Sequence, residues 1–206
     1  MTASTISAAS TLDASAVAQI VLRERQSSDR GWHDAMATAY WPDSTVHVTW
    51  YGGDGPGYVA ASRERYRSNN RALHRTFAPA VRVTGDRAHT EMSTVNTSPV
   101  MVEGVQADLT SFMRLNYRLE RRSGEWRILS LDVIYETSRL TPSVPGETVR
   151  VPAAELAPYR PAYALLAWRL AQTGVTVSDS ELGEDRPQEV AAFYERVGHW
   201  LEGHDE

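Results

Sequence analysis

The sequence predicts an α+β domain in which a curved antiparallel sheet packs on N-terminal helices. Three observations predict it. Helical periodicity and helix-stop signals run through the first seventy residues, interrupted by one strand-like segment. Four long strand-like segments follow, joined by tight-turn signals, and consecutive long hairpins after a helical start mark an α+β domain. A chain of 206 residues that is 42% hydrophobic is long and apolar enough to bury a core without disulfides or metals.

Taken in order, Met1–Thr11 is rich in Ala, Ser and Thr and reads as a disordered leader. Helical spacing begins after Asp13, a candidate cap, and places Val17, Ile20, Val21 and Arg25 on one face. Gly31 is the stop signal. A second helix is expected from Trp32 to Tyr40, closed by Trp41-Pro42-Asp43. Ser44–Tyr51 reads as a strand, with Val46, Val48 and Trp50 alternating against His47, Thr49 and Tyr51. Gly52–Gly57 reads as a loop whose glycine spacing does not fit a dinucleotide fingerprint. A third, Arg-rich helix runs from Tyr58 to about Asn70. The long strands are expected at Ala72–Val83, Arg87–Met101, Val105–Arg121 and Glu125–Glu136, with Gly85-Asp86 and Ser123-Gly124 as turns. Met113, Leu115, Tyr117 and Leu119 share a face, with Ser111 at the same parity. Residues 12–140 thus form the α+β domain. Prolines then punctuate a linker over 141–161, and 162–206 forms a C-terminal extension. In it, apolar stripes predict helices at Ala162–Gln172 and Pro187–Leu201, the second capped by Asp185. They are expected to form a helical hairpin docked on the sheet or on a neighbouring subunit.

Composition excludes several chemistries. All 21 basic residues are Arg, so this chain has no lysine for a Schiff base or a P-loop. It has no Cys, hence no thiolate catalysis, disulfide or Cys-ligated metal. The net charge of −5 does not suit nucleic acid. No stretch approaches the roughly 18 apolar residues of a membrane span, and no secretory signal opens the chain, so a cytoplasmic location is expected. His33, His47 and His89 lack metal-site spacing, and no metal or other cofactor is expected. His47 and His89 are read as lying on the solvent side of their strands.

The order helix, helix, strand, helix and four long strands resembles the SnoaL-like, NTF2-like superfamily of cone-shaped domains. The phrases Ser28-Asp29-Arg30-Gly31-Trp32-His33-Asp34, Tyr40-Trp41-Pro42-Asp43-Ser44-Thr45-Val46 and Ser123-Gly124-Glu125-Trp126-Arg127-Ile128 carry the resemblance. Polyketide cyclases, ketosteroid isomerases and scytalone dehydratase belong to that superfamily. The resemblance implies an apolar pocket and, for the dehydratase-like members, an Asp at the end of the first helix facing a His at the start of the strand after the third. Asp29 and His74 occupy those places. Two positions depart from the scytalone dehydratase pattern. Trp50 stands where a Tyr is expected, with Tyr51 one step on, and Asn96 stands near a second pocket His.

His74 with Asp29 is therefore the candidate catalytic pair, since a carboxylate on one imidazole nitrogen fixes the tautomer and leaves the other to take a proton. Its alternative is a capping Asp and a His bonded in the sheet. Asp132, in the apolar run Ile128–Ile134, is a third candidate, either as the acid or base of a cyclase or hydrolase or in an ion pair with Arg114, Arg118 or Arg127. Trp50, Tyr51, Tyr58, Phe77, Met92, Met113, Tyr117 and Trp126 are candidate pocket walls. Tyr51, Tyr117 or Asn96 is a candidate donor to a substrate oxygen. Arg63, Arg65, Arg67, Arg71 and Arg75 read as a solvated basic face or as intersubunit salt bridges, with binding of an acidic substrate as the minority reading. The reading is a cofactor-independent lyase or isomerase acting on a small hydrophobic cyclic or polyketide-like molecule. The alternatives are a cyclase or hydrolase centred on Asp132 and a non-catalytic binder or assembly module. A homo-oligomer, dimer or trimer, is expected.

Overall fold

The computed structural model describes residues 8–68 and 72–204. The first helix, α1 (Ala8–Arg30), starts earlier than the composition suggests and takes in part of the expected leader; Met1–Ser7 lie outside the described residues. Its buried positions are Val17, Val21, Glu24, Arg25 and Ser27, a stripe at helical spacing that carries two charges in its centre. Asp13 lies inside the helix rather than before it, and accepts from Arg121 and the Trp126 indole. Gly31 ends the helix at φ +75, and the Tyr66 ring sits 2.7 Å from where a Cβ would be, so both conformation and space require glycine.

The second helix is short, α2 (His33–Ala37), because Tyr40 already belongs to β1 (Tyr40–Val48). Thr49 and Trp50 turn the chain into β2 (Tyr51–Asp54), so half of the expected glycine loop is strand. The third helix, α3 (Gly55–Arg67), starts three residues before Tyr58; the Asp54 carboxylate caps it by accepting from the Gly57 N–H, with Pro56 in the first turn. Its expected end near Asn70 falls among residues outside the description.

Ala72–Val83 forms two strands rather than one: β3 (Leu73–Thr76) and β4 (Ala80–Thr84) both pair with β5 (Arg87–Val102), and Phe77–Pro79 breaks between them. β5, β6 (Val105–Arg122) and β7 (Glu125–Pro142) are consecutive antiparallel hairpin strands. β7 runs to Pro142, past the expected Glu136. The order is β2-β1-β7-β6-β5-β3, with β1 parallel to β7 and the two-residue β8 (Leu182–Gly183) extending that same edge. Register shifts opposite Phe112/Met113 and Arg118/Leu119 leave Glu136 and Leu129 as extra residues and mark bulges in β7. Bulges bend a strand and raise its twist, and here they belong to the curl of the sheet into a cone.

Alternation then assigns the faces. Met113, Leu115, Tyr117 and Leu119 of β6 and Leu131, Val133 and Tyr135 of β7 line the concave face against α1 and α3. Arg114, Arg118, Asp132 and Ile134 lie on the convex face.

The C-terminal segment wraps both faces. Beyond β7 come α4 (Ala153–Leu156), a 3₁₀ turn (Pro161–Tyr163), α5 (Ala164–Ala171) and α6 (Pro187–Leu201). Ala162, Tyr163 and Ala167 join the concave core, whereas Val190, Phe193, Val197 and Trp200 pack on Ile134 and Leu129. The helical hairpin expected from the sequence is thus two helices docked on opposite faces of one sheet. Asp185 does not cap α6; it pairs with buried Arg160, and Arg186 takes the cap position. No helix among the described residues is long and apolar enough to cross a membrane.

Candidate active site

The concave face, α1, α3 and α5 enclose a cavity of about 520 Å³. Its floor is apolar, formed by Leu109, Met113, Leu115, Leu131 and Val133, and its polar groups come from the helix ends and the β3–β5 edge. Mostly apolar walls with a few placed polar groups are the usual make-up of a small-molecule pocket.

Asp29 and His74 meet on its wall. Asp29 lies in the last turn of α1. A carboxylate there is opposed by the helix dipole, so it needs strong partners elsewhere. His74 supplies two: its backbone N–H donates to Asp29 Oδ2 at 2.8 Å, and its ring Nδ1 lies 2.6 Å from Oδ1. The two-point tether fixes both the strand start and the ring. Each side chain is 14% exposed, so the pair is sheltered yet reachable. Asn96 sits directly across the β3–β5 ladder from His74, and its Nδ2 lies 3.1 Å from His74 Nε2. This places the carboxylate to accept a proton from Nδ1 and the amide to donate to Nε2. Asn96 was expected to face a substrate oxygen; it contacts the imidazole instead.

Behind this wall lies a buried polar cluster that periodicity alone does not single out. The Glu24 carboxylate accepts from Arg25, Tyr40 Oη at 2.9 Å and Tyr117 Oη at 3.1 Å; Arg25 also donates to Tyr58 Oη at 3.0 Å. Burial alone would lower the Arg25 pKa, but the adjacent Glu24 charge outweighs it and holds the guanidinium well above its ordinary value. Burial raises the Tyr40, Tyr58 and Tyr117 phenols, so all three remain neutral donors. Arg25 and Tyr58 reach the cavity wall; Tyr117 does not. Tyr135 also lines it, anchored by Thr49, which donates to Tyr135 Oη from its backbone N–H at 2.9 Å. Neither Arg25 nor Tyr135 was among the expected site residues.

Of the other expected walls, Trp50, Tyr58 and Met113 line the cavity. Tyr51 does not; it packs behind Trp50 and Tyr58 and donates to the Asp54 carbonyl. Met92 is fully buried core, and Phe77 is 64% exposed outside the mouth. Trp126 lies near the start of α1, stacked under Arg121.

Asp132 is placed on the convex face, away from the cavity. The expected arginine partners do not take it; it lies 3.3 Å from His47 Nδ1 and accepts from Ser130 Oγ. His47 is solvent-facing as expected, but His89 is buried under α6, between Arg82 and Asn116. Its desolvation pushes the imidazole pKa down to about 4. Among the described residues no three His, Asp or Glu side chains are grouped to hold a metal ion.

A cone-shaped α+β fold with a pocket on its concave face is the architecture of the SnoaL-like class. The family model of the SnoaL-like domain matches residues 9–132, and the chain belongs to that family. A PEP2-like protein of Fusarium vanettenii is 24% identical over 191 residues, covering 84% of this chain and 82% of that protein. Among solved structures, hexachlorocyclohexane dehydrochlorinase LinA-type3 from Novosphingobium barchaimii is similar at a TM-score of 0.55 and 16% identity, covering 69% of this chain and 96% of its own. A candidate dehydratase of the NTF2-like family from Streptomyces avermitilis is similar at a TM-score of 0.50 and 11% identity, covering 60% and 95%. At these identities the structural likeness is one of fold, which is the NTF2-like cone.

Proposed function

We propose that the chain is a cofactor-independent lyase or isomerase in which His74 removes a proton from carbon and Asp29 holds the imidazole. The observation that carries the reading is the set Asp29–His74–Asn96 on the wall of a cavity with an apolar floor. Nδ1–H is committed to the carboxylate, so the basic electron pair is on Nε2. Such a base contributes roughly 10²- to 10⁴-fold.

In the proposed step, the Asn96 amide turns aside from Nε2, whose pair takes a proton from a carbon next to a carbonyl while the C–H electrons move into an enolate. Tyr58, whose hydroxyl already accepts from Arg25, donates to the enolate oxygen. In an elimination, the enolate re-forms the carbonyl as a β-hydroxyl departs, taking the proton back from His74 and leaving as water. In an isomerisation, the same proton returns to another carbon. When Nε2 is protonated, half a turn of the Asn96 amide presents its oxygen to the new N–H. The dehydrochlorinase and the dehydratase named above are enzymes of elimination by their descriptions, which agrees with this reading. The Asp29–His74 bond favours the catalytic reading over a non-catalytic binder, which needs the cavity but not the pair.

The test uses 2-tetralone as a probe carbon acid in deuterated buffer, with deuterium uptake followed by proton NMR. The wild-type chain is expected to speed exchange of the acidic C–H and His74→Gln to lose at least a hundredfold of that excess rate. Equal exchange by the two proteins at equal fold content removes the proposal.

A further inference from the structure

The charges around the cavity do not balance. Arg25 is ion-paired with Glu24, and the Asp29 carboxylate is taken up by hydrogen bonds from His74. Two more guanidinium groups line the same cavity, Arg65 from α3 and Arg169 from the last turn of α5. Among the described residues neither has a carboxylate partner. Their neighbours on α3 do: Arg63 pairs with Asp34, and Arg67 approaches Glu64. Arg65 instead lines the cavity with its guanidinium carbon 4.5 Å from the centre of the Trp50 ring, a cation–π contact at the wall. A half-buried cation without a counter-charge is costly, so its retention at a pocket wall calls for a partner supplied from outside.

We propose that the ligand of this cavity is amphipathic, with an apolar body on the Met113–Leu115–Leu131–Val133 floor and an anionic oxygen group held by Arg65 and Arg169. The inference rests on the cavity being the substrate site of the proposed reaction, and it narrows the hydrophobic molecule to an acid: a carboxylate or another oxyanion on a ring-sized skeleton. A guanidinium suits such a group because its planar fork donates two parallel hydrogen bonds. Arg169 lies beyond residues 9–132, the span matched by the family model. The C-terminal segment therefore supplies part of the recognition and does not merely cover the sheet.

Two fluorescent probes with the same aromatic body separate charge from greasiness: 8-anilinonaphthalene-1-sulfonate and the uncharged N-phenyl-1-naphthylamine. In the full chain the sulfonate is expected to displace the neutral probe competitively. Arg65→Gln and Arg169→Gln are each expected to weaken the sulfonate about tenfold, the size of one lost charge-assisted contact, and to move the neutral probe less than twofold. Arg169→Lys, which keeps the charge but loses the planar fork, is expected to fall between the wild type and Arg169→Gln, and Arg63→Gln to retain all of the sulfonate affinity. Circular dichroism verifies the fold of each variant. Non-competitive binding, or equal losses for both probes, overturns the proposal. Because the readout is binding, a failed proton-exchange assay leaves this result standing, and the reverse also holds.

Discussion

Two His–Asp pairs stand on opposite faces of one sheet, and they differ in everything except composition. On the concave side, Asp29 grips His74 by ring and backbone at 2.6 and 2.8 Å, with both side chains 14% exposed. On the convex side, His47 lies 3.3 Å from Asp132 with its own side chain 62% exposed. The first ring is held by two hydrogen bonds, with a third from its own backbone, and opens onto a cavity with an apolar floor; the second is a solvent-screened contact. An imidazole and a carboxylate become chemically useful through the wall they are built into, and their pairing alone does not secure it.

Substitutions sharpen the contrast. The largest effect is expected at the concave pair. Asp29→Ala is expected to lower any activity of the cavity by two orders of magnitude or more, as for loss of a general base. It also frees the first residues of β3, since the His74 amide loses its acceptor, so faster hydrogen exchange at His74 is the accompanying sign. Next is the cluster behind it. Glu24→Leu strands a buried guanidinium and is expected to cost about 3–5 kcal/mol in chemical denaturation. A third imidazole tests burial without a carboxylate. His89 titrates near 4 when folded, against about 6.5 unfolded, so the unfolded chain takes the proton first. Stability is therefore expected to fall as pH drops below about 6.5 and to level off below about 4. The loss amounts to about 3 kcal/mol, and His89→Gln is expected to flatten it.

The smallest effect is expected on the convex pair. The hydrogen bond to Asp132 raises the His47 pKa, so its contribution is full below about 6.5 and lost as pH rises through the raised value. Solvent screening limits it to about 0.5 kcal/mol. Asp132→Asn is expected to remove that slope and leave proton exchange on the probe unchanged. A loss of exchange as large as that of the concave variant would erase the distinction between the two faces.

The fold was legible because its signals are local. The turn pairs at Gly85-Asp86 and Ser123-Gly124, the stop at Gly31 and the long alternating run of β6 each act within a few residues. Asp29 and His74 were legible for a related reason: each sits at the end of an element, and the resemblance supplied their meeting across 45 residues. Asp132 was misplaced because both faces of β7 are covered. α5 covers Leu131 and Val133, α6 covers Ile134 and Leu129, and a strand buried on both sides shows no alternation from which to read a face. Helical spacing puts Arg25 on the buried face, but the sequence does not show that Glu24 joins it there to gather three tyrosine hydroxyls. The place of Glu24 and Arg25 at seven and eight residues from Val17 on the buried stripe was the available signal. The break at Phe77–Pro79 depends on pairing with a bent partner strand and has only Pro79 as its local mark.

The tautomer of His74 bears most directly on the mechanism. In a sample labelled with nitrogen-15 in the histidine rings, His74 is identified by its absence from the His74→Gln spectrum. At neutral pH the account predicts a proton on Nδ1, a free pair on Nε2, and loss of that preference in Asp29→Ala. A proton found on Nε2 in the wild-type chain would contradict it, because the nitrogen required to act as the base would already be occupied.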